Sequence, residues 1–224
     1  MTLHIGLGHY KRTGKDSFAN FLISELAAFD PSIRVIKKSF AWKMKQICHE
    51  LYAWAGLREP EFYETPEGEK LREVVLPAIG KSPRQLWVAF GTDAVRDQVY
   101  EDTWLRHYFE QDHDYDVLIT PDVRFLNEVN EFEARNGILI KVVRPGYGPG
   151  PNVPDRALLD FNRWTSVVGE AGTMESLRRW AIKWATWIGN SLRGGTPVMP
   201  LRSPAEIEAA LAVEKIEPWN PTDE

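Results

Sequence analysis

The chain has 224 residues and carries 27 Lys and Arg against 32 Asp and Glu, a formal charge of −5, with an isoelectric point near 5.6. That balance argues against nucleic-acid binding by bulk electrostatics, which needs a net basic face, but leaves room for a small anionic ligand held by a few local cations. The length suits one domain with a substantial core, and no run approaches the ~18 apolar residues of a membrane span.

Cys48 is the single cysteine, so an internal disulfide is excluded, and no histidine pair accompanies it to suggest a metal or a nucleophile. In "MTLHIGLGHYKR" the basic residues follow the apolar stretch, the reverse of a secretory signal. A cytoplasmic location is the expectation.

"LHIGL" reads as a buried strand ending in glycine, and Phe18, Phe21, Leu22 and Leu26 then recur at helical spacing. The turn between them, "GHYKRTGKDS", is close to the phosphate-binding pattern GxxxxGK[ST], in which backbone amides curl around phosphates, the lysine reaches the terminal groups and the hydroxyl holds magnesium. Gly14 and Lys15 stand in place. His9 occupies the first-glycine position, with Gly8 one residue early, and Asp16 occupies the hydroxyl position, with Ser17 one residue late. Strand, glycine turn and helix form the context that aims free helix amides at phosphate.

"IRVIKKSF", Ile33 to Phe40, reads as a second strand, followed by a helix from Ala41 to about Ala55. Ser82 can cap and Pro83 can open a third helical region, "SPRQLWVAFGTDAVRDQV". Val117 to Thr120 in "YDVLITPDVRF" is a buried strand running into a polar cluster. "NEVNEFEARNG" is a helix stopped by Gly137, and "ILIKVV" is a strand of the kind buried in parallel sheets. "RPGYGPGPNVPD", Arg144 to Asp155, is a loop by composition. "TMESLRRWAIKWATWIG" is a helix carrying Leu177, Trp180, Ile182, Trp184 and Trp187, read as packing residues. "SPAEIEAALA" shows a capping box from Ser203 to Glu206, and the final "EPWNPTDE" is expected to fray. Strands alternating with helices point to an α/β fold with a parallel sheet.

Chemistry gathers at three places. Lys11, Arg12 and Lys15 crowd one turn, either as a phosphate cradle or as a solvated basic loop. Asp16 beside polyphosphate calls for an intervening cation or an incoming acceptor group, unless it is an ordinary acid favoured by the helix dipole. Asp122 and Arg124 follow a strand, at the edge where open parallel sheets bind ligands, or they form a loop salt bridge with each other. Arg84 and Arg96, with Gln85 and Trp87 nearby, read as two arginines on one helical hairpin that can grip a phosphate monoester, with a ring to stack on a base. His4, His9, His49, His107 and His113 show no metal-ligand spacing.

Taken together these segments resemble the bacteriophage deoxynucleoside monophosphate kinases of the P-loop kinase superfamily. "KRTGKDS" is similar to the family's KRSGKDT, aspartate included, and "SFAWKMK" to its FAxxxK element. "SPRQLWVAFGTDAVR" resembles PRxxLQxxGTExxR, "EDTW" the DxxW that follows, "ITPDVRFLNE" the DVRFxNE segment, and "WTSVVGEAGTMESL" the NxGTxxxL element. The chain departs from that pattern at His9, at Trp42 where aspartate is common, at Glu170 in place of asparagine, and in "PGPNVPDRALLDF" after the RPG.

The resemblance implies a five-stranded parallel sheet flanked by helices, of the adenylate kinase type, within residues 1–190. A helical acceptor-binding region would fall at about 41–112, a lid-like loop at about 145–165, and a C-terminal extension with a short helix at 191–224. It implies transfer of the γ-phosphate of ATP to a deoxynucleoside 5′-monophosphate, with magnesium, for phage DNA precursor synthesis. Lys15, Asp16 and Arg124 would be catalytic. Lys11, Arg12, Thr13, Gly14, Lys15, Ser17 and Arg144 would hold ATP, and Ser17 and Asp16 the metal. Phe40, Lys45, Arg84, Trp87, Thr92, Arg96, Trp104, Asp122 and Glu128 would meet the acceptor. No membrane or nucleic-acid partner is expected, and a homodimer stays open. The alternatives are a kinase acting on a modified base in DNA or another small acceptor, and a non-catalytic nucleotide-binding module.

Overall fold

A computed structural model describes residues 2–8, 10–110, 114–150, 153–196, 198–201 and 204–212. His9, Ser203 of the expected capping box, and the terminal "EPWNPTDE" lie outside the described residues. The chain divides into two compact units, Met1–Lys38 with His113–Glu224, and Ser39–Asp112.

In the first unit, β1 (Leu3–Gly8), β2 (Val35–Lys37), β3 (Val117–Thr120), β4 (Ile138–Val142) and β5 (Ser166–Val168) form, among the described residues, a five-stranded sheet in the order β2-β3-β1-β4-β5. Every pairing is parallel. The expected α/β architecture, a parallel five-stranded sheet flanked by helices, is the one observed. Both faces are covered, so β3 and β4 are buried throughout, which is why their sequences are continuous apolar runs. The chain visits β2 and β3 on one side of β1 and then β4 and β5 on the other. That places the topological switch at β1, where such sheets open a crevice beyond their strand ends.

Helix α1 (Lys15–Phe29) buries Phe18, Leu22 and Leu26, and α8 (Met174–Leu192) buries Leu177, Trp184 and Ile188 in the same core. Trp184 is fully enclosed, and Trp180 and Trp187 pack on the core's edge, whereas Ile182 faces outward. α9 (Pro204–Leu211) is the short C-terminal helix.

Three expectations are corrected. The second strand is confined to Val35–Lys37, and Phe40 already has helical backbone ahead of α2 (Ala41–Tyr52). The helix α6 (Leu126–Ala134) is ended by Asn136, which takes φ 54, rather than by Gly137. Gly137 serves packing instead, because a Cβ there would lie 2.9 Å from the Phe132 carbonyl oxygen. The glycine-rich stretch after β4 ends in a helical turn, α7 (Val153–Arg156), which composition hid.

The second unit is helical: α2, α3 (Pro66–Leu71), α4 (Pro83–Val88), a π-helical segment at Ala89–Arg96, and α5 (Thr103–Phe109). Met44, Cys48, Leu57, Tyr63, Leu86 and Trp87 make its core. Burial pushes the Cys48 thiol up to about 12, so it stays protonated and inert. Ser82 opens α4 with a full capping box, its hydroxyl accepting from Gln85 N and the Gln85 side chain accepting from Ser82 N. Ser82→Ala is expected to lower stability by about 1 kcal/mol, read as a shifted denaturant midpoint; an unchanged midpoint would mean that tertiary packing holds this turn without its cap.

Candidate active site

The carboxyl ends of the parallel strands bring the first unit's chemistry to one edge of the sheet. β1 runs into the turn before α1, β3 into Asp122 and Arg124, and β4 into Arg144. Gly14 sits at φ 97 directly before α1, a left-handed conformation that glycine adopts without steric cost. A Cβ there would also lie 2.9 Å from Leu177.

Lys15 is the first residue of α1 and is buried. Its ammonium donates to the Tyr10 carbonyl, which also accepts from the Thr13 hydroxyl. Burial lowers its pKa from the ordinary 10.5 to about 7, the nearby Arg124 pushes the same way, and the carboxylates of Asp16, Asp155 and Asp122 oppose them. Two cations and three carboxylates therefore act on one another across this edge.

Arg124 ion-pairs through Nη1 with Asp155 Oδ1 of α7 at 2.5 Å, a partner that the sequence reading of an Asp122–Arg124 loop pair did not include. The backbone under Arg124 is fixed by Glu128, whose Oε2 accepts from Arg124 N at 2.6 Å and from Phe125 N at 3.0 Å. Glu128 thus caps α6 and pins Arg124 from below. Arg144 donates to the Arg12 carbonyl at 3.3 Å and lies 4.5 Å from the centre of the Tyr147 ring. Arg12 itself is exposed at φ 61.

Asp16 is exposed and pairs with Lys37 Nζ of β2 at 3.4 Å. Ser17, on the next position of α1, is half-buried, as is Asp122. These are hard oxygen donors of the type magnesium takes. Among the described residues no group of three or more His, Cys, Asp or Glu can hold a metal ion by itself.

In the second unit, Lys45 and Trp87 do come together: the ammonium lies 5.0 Å from the Trp87 ring centre and pairs with Glu64 Oε1 at 2.9 Å. Arg84 and Arg96 do not lie on a helical hairpin. They stand on a continuous run of α4 and π helix, Arg84 paired with Glu73 at 2.5 Å and Arg96 with Glu101 at 2.6 Å. Phe40 is buried against Tyr108, ring centres 4.5 Å apart, and packs as a core residue. Trp104 donates its indole N–H to the Gly91 carbonyl at 2.8 Å, and Thr92 is half-buried beside it in the π segment. Such π segments recur at functional sites.

Sequence reasoning missed Asp155, Tyr10 and Lys141. Lys141 is buried on β4, in register with Gly8 and 5.4 Å from the Tyr10 ring centre. A lysine inside the apolar run "ILIKVV" was the available signal, since a buried lysine needs a reason. An open cleft along α8 is lined by Glu170, Ser176, Arg179, Trp180 and Lys183. Among the described residues, no helix is long and apolar enough to cross a membrane.

No family model matches the chain. The chain is similar to a protein of Acanthamoeba polyphaga mimivirus named "Putative deoxynucleotide monophosphate kinase", at 28% identity over 168 residues that cover 69% of this chain and 81% of that protein.

Proposed function

We propose that this protein is a nucleotide kinase that transfers the γ-phosphoryl group of ATP to a deoxynucleoside 5′-monophosphate. The observation that carries the reading is the buried Lys15 at the start of α1, behind a left-handed Gly14 and next to Arg124, at the carboxyl edge of a parallel sheet. The mimivirus protein's name points the same way. In the reaction an oxygen of the acceptor phosphate bonds to the γ-phosphorus while the bond from that phosphorus to the β–γ bridging oxygen breaks, so that ADP leaves. Such a transfer asks the protein for positioning and positive charge more than for covalent chemistry.

Lys15 and the amides from Thr13 to Ser17 would hold the β- and γ-phosphates, Arg124 the transferring group or the acceptor phosphate, and Lys11, Arg12 and Arg144 the ATP side. Ser17, Asp16 and Asp122 would hold magnesium directly or through its water; when bound, the ion screens charge between phosphates. On the acceptor side, Lys45, whose ammonium lies 5.0 Å from the centre of the buried Trp87 ring, would supply a cation.

The test is ADP release from ATP and magnesium with each common deoxynucleoside and ribonucleoside monophosphate in turn, and with DNA as sole acceptor. Turnover on at least one deoxynucleoside monophosphate, well above that with DNA, is expected. Turnover on DNA alone would move the acceptor to a polymer. Slow hydrolysis with no acceptor would reduce the protein to a nucleotide-binding module.

A further inference from the structure

The Arg124–Asp155 contact has an arrangement that a purely structural ion pair does not require. α7 is a turn of four residues, and its buried residue is the carboxylate of Asp155. Val153, which would be the apolar anchor of such a turn, is 70% exposed, and Arg156 is exposed as well. Within α7 itself the buried contact is therefore a charged one, while the chain that follows is anchored by the buried Leu158 and Phe161. The charged contact is made by a side chain only 8% accessible, on an arginine that keeps 26% of its own side chain accessible.

The carboxylate's position relative to Lys15 adds a second constraint. Its charge acts on the Lys15 ammonium as well as on Arg124, so it stands where both cations feel it. The backbone of Gly150 closes over the same carboxylate, where an added Cβ would lie 2.6 Å from Asp155 Oδ2. Carboxylate and phosphate are the two anions that a guanidinium recognises by the same geometry. A phosphate that takes Arg124 must share it with Asp155 or expel it.

We propose that Asp155 is a built-in competitor for the phosphate-binding cations, so that binding of a polyphosphate ligand undocks α7 from Arg124. This rests on the reading of Arg124 and Lys15 as phosphate-binding groups. The ligand class is a nucleoside triphosphate or its triphosphate part. A ligand that displaces a docked element is weakened by the free energy of that docking, and removing the docked charge returns it.

Two measurements test this. By calorimetry, Asp155→Asn, which keeps the shape and removes the charge, should bind inorganic tripolyphosphate and ATP about tenfold more tightly than the wild type, a factor usual for coupled equilibria. By hydrogen exchange on the unaltered wild-type chain, the amides of α7 should exchange faster when tripolyphosphate is added; this arm stands even where the variant fails to fold. Unchanged or weaker binding by Asp155→Asn, or slower exchange at α7 on addition of ligand, would overturn the competitor role while leaving wild-type nucleotide binding intact. If neither wild type nor Asp155→Asn binds tripolyphosphate or ATP, the kinase reading falls, and the inference falls with it.

Discussion

Lys15→Met is expected to lower phosphoryl transfer by about three orders of magnitude or more, the scale of losing a cation that stabilises a phosphoryl transition state. At about pH 6 it should also make the protein more stable than the wild type. Both effects have one cause. The ammonium is buried beside Arg124, and its pKa falls from 10.5 to about 7. Between those values the unfolded chain binds the proton more tightly than the folded one, so stability rises with pH across that window. Below about 7 both states are protonated and the folded protein carries the full penalty; above about 10.5 the penalty is gone. At ~1.4 kcal/mol per pKa unit the penalty amounts to a few kcal/mol.

Methionine keeps the length of the side chain without its charge, so the wild type's rise in melting temperature from about pH 6 to about pH 9 should flatten in the variant. At the acid end the variant should melt roughly 5 to 10 °C higher. A variant that melts lower at acid pH would show that Asp16, Asp122 and Asp155 fully compensate the lysine's charge. Near-normal turnover would remove Lys15 from the chemistry altogether. A buried cation that destabilises the fold at the start of α1 would gain from a bound polyanion, since the anion supplies the missing counter-charge.

Much of the sheet was legible because burial on both faces leaves its mark as uninterrupted apolar runs: β3 and β4 are readable as "VLIT" and "ILIKV" without any partner being known. α1 was legible from Phe18, Leu22 and Leu26, and the left-handed glycine turn that opens it from Gly14 and Lys15, because each is a local pattern. β5 is three residues long, too short for a period, so it was not located in the sequence; the resemblance implied only the number of strands. α7 was hidden by the glycine and proline around it. The pair Arg124–Asp155 spans 31 residues, and no rule of spacing reaches across a helix, a strand and a loop to join them. The ion pairs of Arg84 and Arg96 were hidden for a similar reason, since their acidic partners Glu73 and Glu101 lie off the helix that carries them. Charges visible in a sequence are only potential ligand groups until their nearest counter-charge is known.

Gly8→Ala should cost about 3 kcal/mol of stability, and the reason bears on the irregular opening of the phosphate loop. Gly8 pairs with Lys141 inside the sheet and does not take a positive φ; among the described residues of the turn, Arg12 and Gly14 are left-handed. What Gly8 supplies is space. A Cβ on it would lie 2.2 Å from the Trp164 ring, and that indole is buried, stacked edge-on with Phe161 at 4.9 Å and tied to the Phe161 carbonyl at 3.0 Å. A rigid, bonded ring cannot swing aside as a lysine would.

The cost should therefore belong to the pair. In a Trp164→Leu background the added methyl has room, so Gly8→Ala should then be nearly neutral, a coupling of about 2 to 3 kcal/mol in a double-mutant cycle. ATP affinity gives the second readout. If Gly8 is a packing glycine, the double variant binds ATP as Trp164→Leu does, and the displaced glycine has no part in holding phosphate. If the double variant regains stability but still loses ATP, the backbone freedom of Gly8 is needed by the loop, and the early glycine is a functional member of the phosphate-binding motif after all.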